Sequence, residues 1–368
     1  MRLGLVVLIG LASMSGTVVA IEQPARAVQP VQSATPSSSV ASASARGKAA
    51  DSSSTQEGWR WWGSISASRM LSWWSMSSTV SGTPVGPYTI ERRVEFDVEP
   101  TVVDGIAMSA SLSNLAGGLQ RFGTELDDRG RRQREWLGHV IGWWPDSSVG
   151  LRVLVEHSTL EGTASWTTNA GVTQQHQLTT EWLRKAIQLV SRGEETAGLY
   201  GGIAWERIQV PYAIGFGYDS YVYYAEVVPD GRMLAGTAHL GFDSRLGLET
   251  RPRTFAGLVG GFELGVGIIT YRLPSHTVQR ARQAIGRKYK DEGWGSFYSV
   301  DASLGFAAQR MIGTFAGRVA IGARFRFVWG GTGPVAHETE RERAHIMLLG
   351  YEWSHTFGGV FVEAGLSF

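Results

Sequence analysis

Residues Tyr88–Glu99 read YTIERRVEFDVE. Successive side chains of an extended strand point to opposite sides, so Ile90, Val94, Phe96 and Val98 share one face while Glu91, Arg93, Glu95, Asp97 and Glu99 share the other. The same period of two returns at Ile106, Met108, Ala110 and Leu112, at Val149, Leu151, Val153 and Val155, and at Phe262, Leu264, Val266 and Ile268. It recurs from Tyr298 to Phe306 and from Val319 to Phe327. Strands of soluble sandwiches usually run to about 5 or 6 residues, whereas these runs approach the ~10 residues that a tilted strand needs to cross a bilayer. Lipid offers no partner to an unpaired backbone group, so a sheet that crosses it must close on itself. The pattern predicts an all-β fold, a transmembrane antiparallel β-barrel with an apolar outside and a charged, wet inside.

The two ends of the chain narrow this reading. Met1 and Arg2 precede the apolar run LGLVVLIGLA and small residues that finish at Val18-Val19-Ala20, the pattern of a secretory signal cleaved after residue 20, with Ala25-Arg26-Ala27 as a second cleavage site. The last ten residues, GVFVEAGLSF, put Val360, Val362, Ala364, Leu366 and Phe368 on one face and end on an aromatic residue. The chain has no cysteine, which excludes disulfides, thiolate metal sites and a lipidated N-terminal cysteine. A net charge of +1 gives no pull toward nucleic acid. The 47 glycines and 14 tryptophans in 368 residues suit crowded, tilted strands and aromatic girdles better than a soluble domain. Signal, alternation and terminal strand together resemble bacterial outer-membrane β-barrel proteins as a class, over about Trp59–Phe368. That resemblance implies residence in the outer membrane, surroundings of outer-membrane lipid and lipopolysaccharide, and a C-terminal strand read by the barrel-assembly machinery. Residues 1–20 are then the signal peptide, 21–57 a Ser/Ala/Pro-rich disordered periplasmic segment, and 58–368 the barrel.

Alternation and turn residues place strands near 59–71, 87–99, 105–115, 133–144, 149–158, 176–190, 197–208, 215–228, 232–243, 254–270, 295–308, 313–328, 342–354 and 359–368. That is about 14 strands, with about 12 as the alternative if 215–228 is a loop. With fourteen staves, the long Arg272–Gly293 connection falls at the end that carries the chain termini, where connections should be short. Trp61, Trp62, Trp73, Trp74, Trp143, Trp144, Trp294, Trp329 and Trp353 lie near strand ends and are expected in interfacial girdles.

Chemistry-bearing clusters are sparse. Glu156, His157 and Ser158 are adjacent, but neighbouring strand residues face opposite ways and cannot form a relay. No catalytic residue, metal ligand or cofactor is expected, and the chain is not read as an enzyme; His337, Glu338, Glu340 and Glu342 read as a solvated loop. The basic stretch Thr277–Lys290 has helical spacing and suits an anionic surface or a plain loop helix equally. The inward charges say more. Glu91, Arg93, Glu95, Asp97 and Glu99 form an acidic-weighted ladder, and Arg318, Arg324 and Arg326 a basic one. Either they line an aqueous path, as in a passive, porin-like channel for small polar solutes, or they neutralise one another inside a non-conducting structural or surface-interaction barrel. The channel is the first expectation, the closed barrel the second, a lipid-modifying enzyme the third. The oligomeric state is left open.

Overall fold

The computed structural model describes residues 61–82, 90–112, 114–124, 131–145, 147–167, 171–192, 198–218, 221–244, 254–272, 292–331, 335–338, 345–348 and 351–368. The expected signal and Ser/Ala/Pro-rich segment, and the basic stretch Thr277–Lys290, lie outside them. The strands are β1 (Trp61–Gly82), β2 (Ile90–Leu112), β3 (Leu115–Gly123), β4 (Arg132–Trp143), β5 (Val149–Thr167), β6 (Thr173–Arg192), β7 (Gly198–Tyr218), β8 (Tyr221–Asp243), β9 (Phe255–Arg272), β10 (Glu292–Ile312), β11 (Phe315–Gly331), β12 (Val335–Glu338), β13 (His345–Leu348) and β14 (Tyr351–Ser367).

Twelve of these are staves. Each pairs antiparallel with its neighbours, β14 bridges β11 and β1, and β7 pairs with β8, so the sheet closes on itself. The remaining two, β12 and β13, form a short hairpin that pairs with the end of β7 at Tyr218. The expected fourteen is met as the total and the alternative twelve as the ring. With twelve staves, β1 starts and β14 ends at the same end, and the Arg272–Glu292 connection falls at the far end among the long loops, which removes the conflict in the sequence reading. At the terminal end, β10 and β11 join through Gly313-Thr314, where Gly313 takes φ +65°, a conformation glycine adopts without steric cost in tight hairpins.

Two irregularities decide which way side chains point. On β2, Ser72 of β1 pairs with Thr101 and Trp74 with Val98, so Glu99 and Pro100 together face the single residue Trp73. A bulge of this kind inserts one residue and flips every side chain beyond it to the other face. Below it Val102, Ile106 and Met108 point out; above it Val94 and Phe96 are buried inside, at 0% and 1% exposure, while Arg93 and Glu95 stand outside and pair with each other at 2.9 Å. The lumen placement expected for Arg93 and Glu95 is therefore reversed, because the alternation of Tyr88–Glu99 is out of phase with the rest of its own strand. The side chains of Glu91, Asp97 and Glu99 lie outside the described residues. A second bulge on β8, where Val210 pairs with Gly231 and Tyr212 with Val228, leaves Pro229 and Asp230 unmatched in the same way.

Elsewhere the outward face is the expected one. Ile65, Leu71, Ile106, Met108, Leu151, Val153, Ile187, Leu189, Ile203, Leu240, Leu264, Val266, Leu304, Phe306, Val319, Ile321, Val360 and Val362 are large apolar residues exposed on the outside, an encircling belt that water would not tolerate and lipid would. Trp73, Trp144 and Trp294 are exposed as girdle residues should be, but Trp74, Trp143 and Trp353 are buried in the interior, a correction to the girdle reading. Gly358 sits where any Cβ would meet the Trp73 ring at 2.2 Å, so the ring lies flat on bare backbone. Within the belt, Arg69 Nε donates to Asp104 at 2.7 Å on the outer surface. A charge on a lipid-facing surface is unfavourable, and each of these two side chains supplies the other with an opposite charge there.

The wall is also stepped. β3 and β4 are the short staves, 9 and 12 residues, and beyond them β2 pairs directly with β5, Val94 with Trp166 and Phe96 with Ala164. On the other side of the barrel the β6–β7 ladder ends at Glu181–Gln209 and the β8–β9 ladder at Met233–Tyr271, so beyond that level β7 and β8 continue as a hairpin paired with each other.

Candidate functional site

The interior changes character along the barrel axis. Near the start of β1 and the end of β14 lies a polar cavity of about 270 Å³ that reaches Ser64, Ser109 and Ser367 at the strand ends. Period-two alternation on β5, β6, β9, β10 and β11 sends Glu156, Arg184, Glu263, Asp301, Arg324 and Arg326 inward while their neighbours face the belt, and all six border this cavity.

At its inner limit the charges pair across the lumen. Arg326 donates to Glu156, and its other nitrogen lies 2.6 Å from Asp301. β11 and β5 are six places apart in a ring of twelve, so this contact joins opposite walls. Arg324 donates to Glu135 at 2.9 Å and to Asp301 at 3.3 Å. Arg184 pairs with Glu263 at 2.5 Å and approaches Glu156 at 3.9 Å. Glu206 accepts from Trp182 Nε1 and Thr237 Oγ1, each at 2.9 Å. Arg152 donates to Gln188, stacks 4.5 Å from the Tyr200 ring centroid, and Gln188 contacts His239 at 2.6 Å. Buried ions survive in a low-dielectric interior only when paired and hydrogen-bonded in this manner.

Beyond the network the interior is mostly apolar, with Ser78, Ser158, Thr180 and His355 as buried polar residues among the hydrophobic ones. On β5, Leu160 and Ala164 follow Glu156; on β11, Val328 follows Arg326; on β14, Phe357 and Trp353 lie on the same far side. With Trp74, Met76, Val94, Phe96, Tyr212, Met233, Ile269 and Phe297 they form one continuous buried cluster. The lumen is thus a chamber at one end, a bar of ion pairs across its middle, and a hydrophobic core at the other.

Of the residues expected to line the lumen, the structure brings Arg324 and Arg326 together in the bar, and sets Arg318 lower, bordering the cavity, with its buried Nε making no hydrogen bond. Arg93 and Glu95 are not part of the site. Sequence reasoning did not select Glu135, Glu156, Arg184, Glu206, Glu263 or Asp301. For Glu263 and Asp301 the signal was present as single charges between apolar residues, Phe262 and Leu264 or Val300 and Ala302, whereas Glu135, Glu156, Arg184 and Glu206 each adjoin a charged or polar residue, Arg134, His157, Lys185 and Arg207, which hides it. His157, expected to be separated from Glu156 and Ser158, indeed faces the other way and contacts Glu181 at 3.2 Å. Among the described residues there is no group of three metal-ligating side chains.

No protein-family model matches the sequence, and no curated relative matches it. Solved structures with a related shape are bacterial outer-membrane barrels. They include the outer membrane protease OmpT of Escherichia coli, at 11% identity over 83% of this chain and 96% of that chain with a TM-score of 0.33. The toluene transporter TodX of P. putida aligns at 9% identity over 83% and 90%, with a TM-score of 0.29. The translocator domain of the autotransporter NalP of Neisseria meningitidis aligns at 12% identity over 81% and 87%, with a TM-score of 0.31. A protease, a transporter and a translocator domain share the architecture, so the likeness carries no activity to this chain.

Proposed function

We propose that the chain is a non-conducting outer-membrane barrel, a rigid scaffold that carries its far-end loops clear of the lipid. The observation that carries this reading is the apolar cluster of Trp74, Phe96, Tyr212, Phe297 and Trp353, which fills the lumen where a pore would need water. Strand length supports it as well. β1, β2, β7, β8 and β10 have 21 to 23 residues, about twice the 9–11 that cross a bilayer at a 45° tilt. The surplus stands outside the apolar belt on a solid core. On the outer face, exposed Arg121, Arg134, Lys185 and Arg207 edge the belt on β3, β4, β6 and β7, where the phosphates of anionic outer-leaflet lipid would meet them.

A passive channel, first in the sequence reading, becomes the second. The polar chamber at the terminal end is the one observation in its favour, since it is half of a path. The two readings separate in a solute-swelling assay on proteoliposomes. The closed-barrel reading expects the parent protein to admit small sugars no faster than protein-free vesicles, while a variant with Phe96, Phe297 and Trp353 all replaced by glycine swells. Rapid swelling with the parent protein would restore the channel.

A further inference from the structure

The outward ion pair of Arg69 and Asp104 has no reason to exist on a surface that meets only lipid. The two side chains are 72% and 65% exposed. On β1, Ile65 and Ala67 lie on one side of Arg69 and Leu71 and Trp73 on the other; on β2, Asp104 stands between Val102 and Ile106, so both charges are set within the apolar belt. Charges at such depth are uncommon, and those present normally face protein or water. A lipid headgroup is a poor occupant, since headgroups lie at the leaflet surface and the Asp104 carboxylate would repel a phosphate.

The geometry points to a second copy of this chain as the occupant. Arg69 and Asp104 are cross-strand partners and sit side by side around the barrel wall. Two barrels facing each other across a two-fold axis along the membrane normal would set Arg69 of each against Asp104 of the other, because the rotation exchanges left and right. A surface that is its own complement is what an isologous dimer requires. The contact would turn one lipid-exposed pair per copy into a lipid-excluded quartet of two cations and two anions. Small residues beside it allow close approach: Ala67 pairs with Ala364, and both face outward next to Arg69.

The absence of native cysteine makes the test clean. Full-length mature protein carrying Ala67→Cys is reconstituted in lipid vesicles and oxidised, with Leu240→Cys on the outer face of β8 as the control position. The dimer reading expects a disulfide-linked dimer from Ala67→Cys and at least tenfold less from Leu240→Cys. Added to Ala67→Cys, Arg69→Asp alone and Asp104→Arg alone each lose the dimer, yet the two mixed together recover it, since each then supplies the charges that the other lacks. The apolar variant Arg69→Leu/Asp104→Leu folds and inserts but stays monomeric, which separates loss of contact from loss of fold. Equal cross-linking at both positions, or an Arg69→Leu/Asp104→Leu protein that dimerises like its parent, would overturn the proposal.

Discussion

Arg326 illustrates what a single side chain does in this interior. Its guanidinium holds Glu156 on the opposite wall and Asp301 on the adjacent strand, and lies 4.8 Å from the Trp182 ring centroid. Removing one partner of a buried pair strands the others, at a cost of roughly 3–5 kcal/mol. Arg326→Ala should therefore lower the midpoint of urea unfolding in micelles, followed by tryptophan fluorescence. The paired change Arg326→Met with Glu156→Leu should recover much of the loss, since well-packed apolar replacements of buried pairs are often neutral. Arg93→Ser and Glu95→Ser should each shift stability by less than about 0.5 kcal/mol, as exposed surface sites do. Both sets of charges look alike in the sequence, as polar residues alternating with apolar ones. Arg324 and Arg326 were legible as inward because their strand keeps one phase throughout. Arg93 and Glu95 were not, because phase is a property of the whole strand and is lost across Pro100.

The strand is the scale at which that loss is explained. Both bulges contain a proline, Pro100 on β2 and Pro229 on β8, and both coincide with a break between two strands in the sequence reading. Proline removes a ladder hydrogen bond, and the extra residue shifts the alternation by one, so a reader who follows period two stops there. β3 was missed for another reason: Gly117 and Gly118 in LAGGLQRFG leave no side chains to alternate. Three continuous strands read as pairs, one strand unread and a hairpin unforeseen account for the difference between the expected staves and the observed ring. The bulge on β2 also makes a prediction. Deleting Pro100 would bring 90–99 into phase with 101–112 and drive Arg93 and Glu95 into the apolar cluster, so the deletion variant should fail to reach the heat-modifiable folded form on gels. Pro100→Ser, which keeps the count, should fold. A deletion variant that folds like its parent would show that the register is set elsewhere.

At the scale of the whole molecule the barrel resolves into layers: an outer apolar belt, a polar chamber, a bar of ion pairs, and a mostly apolar core toward the far end. Neither the belt nor the class of fold needed more than alternation and length to be read. The closure of the lumen did, because it depends on which residues meet across a ring, and opposite walls such as β5 and β11 are some 170 residues apart in sequence, as in the Arg326–Glu156 contact. The claim most open to test is that this closure is complete. The refolded full-length protein inserted into a planar lipid bilayer under a salt gradient measures it directly. A closed lumen gives insertion without conductance steps, and silence that persists in Arg324→Ala. Stable unitary steps from the parent protein, with a reversal potential that moves when Arg324 is replaced, would contradict it.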